Sequence, residues 1–345
     1  MNGTVRRAAL RTVITLGGVG VAAGGLLSLV LSQTRSARRV VQQHTPIIGP
    51  PTGDGAYGDF PGRPINITVL GDSSAVGLGV ESTNETPGVL IASALSELAQ
   101  RPVNFNRLAW IGAESCDLEV QVQLALGETP DLDLAIIMIG ANDVTSRTRN
   151  SVSVRFLSEA VTRLRGNGCE VVVATCPDLG TIRPVRQPLR FIARRWSRQL
   201  AAQQTVGVVK AGGRTVSLGA ILGPAFARDP RMFSADEFHP SAEGYAAAAA
   251  VILPTAGAAL GLWPHGVAPL DRPFGKERVT SVEAAAVRAV ERAGTEVSRA
   301  DADTDADTTT AVATGWARLR RRRPMAMVEA EDCVKTDSPE EASQR

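Results

Sequence analysis

The chain has 345 residues, which is enough for one domain of ordinary size plus additional segments. Its 37 basic and 35 acidic residues nearly cancel and leave a formal net charge of +2, so charge alone gives no attraction to nucleic acid. Aromatic residues make up only 4% of the chain, which argues against a surface that stacks single-stranded bases. The composition therefore indicates a globular protein that does not bind nucleic acid.

A basic N-terminus (residues 1–11) precedes an uncharged, apolar run over residues 12–33. A helix that crosses a bilayer needs about 20 consecutive apolar residues. The run therefore predicts a single N-terminal anchor in the cell membrane, with the rest of the chain outside the cytoplasm. A cleaved signal peptide and a secreted protein are the alternative, although no small-residue cleavage motif follows Leu31.

Residues 34–64 are rich in proline and glycine, which predicts a stiffened linker between the anchor and the first domain. Residues 263–345 form a C-terminal tail, with one amphipathic helix expected over 281–298 and disorder elsewhere. Alternate aspartates in this tail resemble the start of a calcium loop. Ala306 replaces the glycine that such a loop requires, so the tail predicts no metal site.

Strand and helix patterns alternate over residues 65–262. Leu132–Ile139 is almost continuously apolar, as expected of a parallel strand that is buried on both faces. This alternation predicts an α/β domain whose mainly parallel, roughly five-stranded sheet carries helices on both faces, with ligands bound at the carboxyl ends of the strands. The predicted strands are Ile65–Leu70, Val103–Leu108, Leu132–Ile139, Glu170–Thr175 and Val206–Lys210, and the predicted helices cover residues 86–99, 152–164 and 189–203.

Histidine is scarce, since the chain contains only His44, His239 and His265. Any mechanism that needs an imidazole base must use one of these three. The four cysteines form no C-x-x-C pair and have no histidine at zinc-ligand spacing, so no metal or cofactor is predicted. Cys169 and Cys176 fit small buried apolar residues, and a disulfide that involves Cys116 stays open.

The first predicted strand ends in Gly71-Asp72-Ser73-Ser74. A serine in the turn that leaves a parallel strand lies at the edge of the sheet where ligands bind, and the glycine allows the backbone to turn sharply. The N–H groups after the turn can face negative charge that develops on a substrate. Ser73 is therefore a candidate nucleophile, although the same tripeptide also occurs in ordinary turns.

Two more loops follow strand ends. Asn142, in Gly140-Ala141-Asn142-Asp143, follows the third strand and offers a neutral amide donor that suits an oxyanion. Gly112 follows the second strand, and its missing side chain lets the backbone approach a substrate oxygen. Taken singly, each of these segments also fits a plain turn.

Asp236 and His239 lie three positions apart near the end of the domain, so one turn can bring the carboxylate and the imidazole into contact. The carboxylate would fix the ring tautomer and leave the far ring nitrogen to accept a proton from serine. Ser241 is suited to cap the alanine-rich helix that follows. The pair is a candidate acid and base, with a capped surface loop as the alternative.

Together these segments resemble the sequence blocks of the GDSL/SGNH hydrolases. Gly71-Asp72-Ser73 is similar to the first block, Gly112 to the second, Gly140-Ala141-Asn142-Asp143 to the third and Asp236-x-x-His239-Pro240 to the last. The resemblance covers residues 65–262 and implies the SGNH-hydrolase fold, a three-layer α/β/α sandwich. It departs at Ser74, where the family usually has leucine, and the segment before Gly112 is a looser match.

The resemblance also implies site residues and an activity. It implies a catalytic triad of Ser73, Asp236 and His239, and an oxyanion hole formed by Ser73, Gly112 and Asn142. The implied reaction is hydrolysis of short-chain acyl or O-acetyl esters through an acyl-serine, without cofactor or metal, on a small-molecule, glycan or lipid carrier. The alternatives are an O-acyltransferase with the same triad and a catalytically inactive binding protein of the cell envelope. The chain has no G-x-S-x-G of a conventional α/β-hydrolase.

Overall fold

The structure, a computed structural model, describes residues 28–36, 39–41, 43, 49–50, 52–262 and, for the backbone alone, 296–297. The strands within these residues are β1 Gly55–Tyr57, β2 Ile65–Gly71, β3 Val103–Arg107, β4 Leu134–Met138, β5 Glu170–Ala174, β6 Arg214–Val216 and β7 Glu296–Val297. They form one sheet in the order β1-β3-β2-β4-β5-β6-β7. Strands β2 to β6 are parallel, and β1 and β7 pair antiparallel at the two edges. The predicted mainly parallel sheet is therefore confirmed.

Helices cover both faces of this sheet. The α-helices within residues 52–262, called here the main domain, are α1 Ser73–Val76, α2 Pro87–Ala99, α3 Leu118–Glu128, α4 Ala141–Ser146, α5 Asn150–Gly166, α6 Leu189–Lys210, α7 Leu218–Ile221, α8 Gly223–Arg228 and α9 Ala242–Ala259. Alternate residues of a strand point to opposite faces. Ile136 of β4 joins the core under α2 and α9, whereas its neighbour Ile137 joins the core under α3, α5 and α6. The result is the three-layer α/β/α sandwich.

The prediction of a strand over Val206–Lys210 is wrong, because these residues form the last turns of α6. Val208 and Val209 are buried in the core, and a short apolar run fits a buried helix as well as it fits a strand. The chain turns at Gly212, whose φ is +87°, and the fifth parallel strand is β6.

The predicted linker over residues 34–64 also contributes to the sheet. Within it, β1 pairs with β3, so that Gly55 lies opposite Phe105. The carboxylate of Asp54 accepts a hydrogen bond of 2.8 Å from the backbone N–H of Arg107. The ring of Tyr57 packs edge-on against Phe105 at a centroid distance of 6.1 Å. Three residues beginning with glycine carry too little strand pattern to be found from the sequence.

Residues 28–36 form a helix, called here the N-terminal helix, which contacts the main domain. It includes residues 28–33, the last part of the predicted anchor. The part of the chain that the structure describes contains no helix long and apolar enough to cross a bilayer, and residues 12–27 lie outside that part. Most of the predicted tail helix over 281–298 lies outside it too, but residues 296–297 are the edge strand β7. Membrane attachment stays a prediction.

Candidate active site

The turn between β2 and α1 carries Ser73. Gly71 ends β2 with a φ of +131°, and a Cβ on this residue would lie 1.9 Å from the carbonyl oxygen of Met138. Only glycine therefore fits this position. Asp72 is the N-cap of α1, where its carboxylate accepts a hydrogen bond of 2.9 Å from the backbone N–H of Ser74. These contacts fix the first turn of α1 and the position of the Ser73 side chain.

A buried glutamine on α3, Gln121, forms hydrogen bonds with the backbone at the end of β2. The side-chain oxygen of Gln121 accepts a hydrogen bond of 2.7 Å from the N–H of Gly71, and its amide nitrogen donates one of 2.9 Å to the carbonyl oxygen of Gly71. Gln121 is 0% exposed, so water cannot replace either bond. Sequence reasoning missed this residue, since a glutamine in an amphipathic helix has no distinctive pattern.

Replacing Gln121 by leucine should destabilise the protein. The substitution leaves the N–H of Gly71 buried without its partner, which costs about 1–3 kcal/mol. The carbonyl oxygen of Gly71 loses one of two hydrogen bonds and keeps the one of 3.3 Å from the N–H of Trp110. We expect the free energy of unfolding in urea to fall by about 1–3 kcal/mol. Gln123→Leu, at an exposed position of the same helix, is the matched control and should change it by no more than about 0.5 kcal/mol. Equal effects of the two substitutions would contradict this role of Gln121.

The side chains of Ser73, His239 and Asp236 form a continuous hydrogen-bonded chain. Nε2 of His239 lies 3.0 Å from Oγ of Ser73, a residue 166 positions away in the sequence. Nδ1 of the same ring lies 2.6 Å from Oδ2 of Asp236. All three residues are buried, with exposed fractions of 7%, 5% and 1% in the order given. The structure thus brings together the three residues that the sequence resemblance selected.

Asp236 is held in place by its second carboxylate oxygen. Oδ1 accepts hydrogen bonds from the N–H groups of His239 and Phe238, at 2.8 and 2.9 Å, and from the hydroxyl of Ser234 at 2.8 Å. Burial alone would raise the pKa of Asp236, but the hydrogen bond and charge of the His239 ring, together with the two N–H donors, lower this pKa well below its usual range. The carboxylate therefore stays ionised at neutral pH and fixes the ring with a proton on Nδ1.

Two further carboxyl groups are buried beside this chain of residues. Burial raises the pKa of Asp72 to about 6, against the lowering effect of the Ser74 N–H. Burial also raises the pKa of Asp143, whose carboxylate accepts hydrogen bonds from the N–H of Ser115 at 3.2 Å and from its hydroxyl at 3.0 Å. Asp143 thus ties α4 to the loop that carries Gly112. In the sequence, only the position of Asp143 next to Asn142 indicated that this carboxylate supports the site.

The other two candidate oxyanion donors, Gly112 and Asn142, line the same pocket as Ser73. The amide nitrogen of Asn142 donates one hydrogen bond of 2.9 Å to the carbonyl oxygen of Ala113, and because an amide carries two hydrogens, one is left for a ligand. Gly112 has a φ of +81°, and a Cβ there would meet no atom within 4 Å, so the backbone is open at this point. Ser73, Gly112, Asn142 and His239 line one pocket of about 440 Å³, which is within the usual range for small-molecule sites.

The two buried cysteines, Cys169 and Cys176, are not among the reacting groups. Both are free thiols, no disulfide joins Cys116 to either of them, and Cys333 lies outside the described residues. Burial raises the pKa of Cys169 to about 12 and that of Cys176 well above its usual value, which makes both thiols poor nucleophiles. Among the described residues, no three His, Cys, Asp or Glu side chains form a group that could hold a metal ion.

A family model and a curated relative that match this chain are both described as GDSL-like. The family model described as "GDSL-like Lipase/Acylhydrolase family" matches residues 69–247. "GDSL-like esterase Rv1075c" of Mycobacterium tuberculosis (strain ATCC 25618 / H37Rv) is 40% identical over 252 residues, which cover 70% of this chain and 80% of that protein.

Solved structures with similar backbones are more distant in sequence. The crystal structure of TesA is 18% identical with a TM-score of 0.46, and the alignment covers 56% of this chain and 99% of that one. A mutant of Axe2, an acetyl-xylooligosaccharide esterase from Geobacillus stearothermophilus, is 16% identical with a TM-score of 0.44, covering 55% of this chain and 92% of that one.

Proposed function

We propose, given that this chain belongs to the GDSL-like lipase/acylhydrolase family and is a carboxylic ester hydrolase, that it cleaves its substrate through an acyl-enzyme on Ser73. The observation that carries this mechanism is the hydrogen-bonded chain from Oγ of Ser73 through the His239 ring to Asp236. A serine hydroxyl is a weak nucleophile until an adjacent base removes its proton. In this site, Nε2 of His239 is the base within hydrogen-bond distance.

The proposed reaction has two halves. In the first, Oγ of Ser73 attacks the ester carbonyl while Nε2 of His239 takes the serine proton, and that proton then passes to the departing alcohol. In the second, a water molecule loses a proton to Nε2 and attacks the acyl-serine, which releases the carboxylic acid and restores the serine hydroxyl. In both halves Asp236 stabilises the positive charge of the imidazolium.

Negative charge develops on the carbonyl oxygen in each half of the reaction. We propose that the N–H groups of Ser73 and Gly112 and the free amide hydrogen of Asn142 donate to that oxygen. The shared pocket of these residues and the bond from Asn142 to Ala113 support this assignment, because a donor that is already oriented needs no reorganisation during the reaction.

Asn142→Ala should therefore slow turnover while leaving the triad in place. Loss of one oxyanion donor costs about 10²–10³ in kcat, and we expect a decrease of that size with p-nitrophenyl acetate. Ser146→Ala, at an exposed position of the same helix, is the control and should leave kcat unchanged. A decrease in kcat of less than about threefold for Asn142→Ala would remove this residue from the oxyanion hole.

For the substrate, we propose short-chain acyl or O-acetyl esters first, with the alcohol part left open among small molecules, glycans and lipids. Activity is tested by following hydrolysis of p-nitrophenyl acetate, with and without added sugar acceptors. Release of free acetate at an unchanged rate supports hydrolysis. Acetylated sugar formed at the expense of free acetate would instead support the acyltransferase alternative. No turnover and no labelling of the folded protein by a fluorophosphonate would refute the acyl-serine mechanism.

A further inference from the structure

The N-terminal helix has one face turned toward the main domain. Val30, Gln33 and Thr34 are partly buried, whereas Leu29 and Ser32 are exposed. Spacings of three and four residues place Val30, Gln33 and Thr34 on the same side of a helix. A helix with one covered side of this kind is packed against a neighbour rather than surrounded by solvent.

A double hydrogen bond fixes this helix to the start of α6. The amide nitrogen of Gln33 donates a hydrogen bond of 2.6 Å to the carbonyl oxygen of Gln187. Its side-chain oxygen accepts one of 3.3 Å from the N–H of Leu189. One side chain therefore pairs with two backbone groups at the beginning of α6. One of them is the N–H of Leu189, which lies in the first turn and has no acceptor within the helix.

The docked helix lines the same pocket as the reacting groups. Val30 and Thr34 of this helix share the pocket with Ser73 and His239, and Val41, which follows the helix in the sequence, lines it too. The hydroxyl of Thr34 donates a hydrogen bond of 2.9 Å to the carbonyl oxygen of Val30, so it needs no polar partner from the pocket. The rest of the lining is mostly apolar and includes Leu78, Ile111, Ile182, Val185, Ile192 and Trp196. A pocket of this size and character exceeds what an acetyl group needs and suits an aliphatic acyl chain.

We propose that the N-terminal helix is a wall of the acyl-binding pocket, and that Val30 limits the length of the acyl chain that the enzyme accepts. This inference rests on the proposed acyl-serine mechanism, because it places the acyl chain beside Ser73. Each methylene group that leaves water for an apolar surface contributes about 0.8 kcal/mol, or roughly fourfold in kcat/KM. Acetyl esters therefore remain substrates, as proposed above, but chains long enough to reach Val30 should be hydrolysed with a higher kcat/KM until the pocket is full.

The experiment measures kcat/KM of the full-length protein for p-nitrophenyl acetate, butyrate, octanoate and laurate. Val30→Trp narrows the pocket at its wall and should lower the ratio of octanoate to acetate by about tenfold or more. Val30→Ala enlarges the pocket and should move the preferred chain length in the opposite direction, toward laurate. Leu29→Trp, whose site is 46% exposed and outside the pocket lining, is the matched control and should keep the wild-type profile.

Gln33→Ala provides a second variant that leaves the pocket lining intact. It removes both bonds to the start of α6, and a loosened wall should lower the octanoate-to-acetate ratio several-fold. Wild-type ratios for Val30→Trp, Val30→Ala and Gln33→Ala would overturn the inference, as would an equal shift for Leu29→Trp. Failure of the wild-type protein to hydrolyse any of these esters would instead refute the proposed function, so the two failures are distinguishable.

Discussion

Ser73→Ala is expected to reduce kcat for p-nitrophenyl acetate by about 10⁵–10⁶-fold, because it removes the hydroxyl on which the proposed acyl-enzyme forms. The substitution should leave the fold intact. The lost side chain makes one hydrogen bond, to Nε2 of His239, and alanine is a good residue for the first turn of α1. Initial rates and the thermal unfolding midpoint of the same preparation separate the chemical effect from a folding effect.

Ser74→Ala is the control for this prediction. Ser74 is the next residue of α1. The substitution keeps the hydrogen bond from its backbone N–H to Asp72 and removes only the smaller contribution of its side chain. Wild type and Ser74→Ala should both be labelled by a fluorophosphonate probe, whereas Ser73→Ala should not. If Ser73→Ala kept more than about a hundredth of the wild-type rate, a different nucleophile would be at work.

The sequence predicted which side chains come together at the candidate site, because strand ends constrain their positions. The loops that follow parallel strands lie at one edge of the sheet. Once the strands before Ser73, Gly112 and Asn142 were correctly predicted, these three residues were therefore expected to lie near each other. The three-residue spacing of Asp236 and His239 also predicted that the carboxylate would contact the imidazole ring. These are local patterns, and each can be read without knowledge of the distant contacts.

The residues that support the site were not found in the same way. Gln121 and Asp143 act on backbone groups and side chains that are distant in the sequence, at Gly71 and Ser115. Such contacts depend on the packing of α3 and α4 against the sheet. Asp143 lies in a recognisable block, but neither residue's local sequence indicates its distant partner. The same holds for the N-terminal helix, whose apolar residues fit a membrane anchor as well as they fit a pocket wall.

Asp236→Asn should lower kcat by about 10⁴-fold, although it changes the shape of the side chain very little. Oδ1 accepts three hydrogen bonds, from two N–H groups and the Ser234 hydroxyl, so the asparagine oxygen must occupy this position. The new NH₂ group then points at Nδ1 of His239, which must accept rather than donate. The ring proton moves to Nε2, and the ring can no longer take the proton of Ser73.

The effect of Asp236→Asn therefore arises from the tautomer of His239 and not from loss of structure. The bonds to Oδ1 survive, so we expect the fluorophosphonate reaction to slow in parallel with kcat while the unfolding midpoint changes by only a few degrees. Glu237→Gln removes a carboxylate from the neighbouring exposed position and should keep wild-type activity, which excludes a general effect of charge. A loss of less than tenfold in Asp236→Asn would show that the ring is oriented by something other than this carboxylate. In that case the short bond to Nδ1 would have no catalytic role.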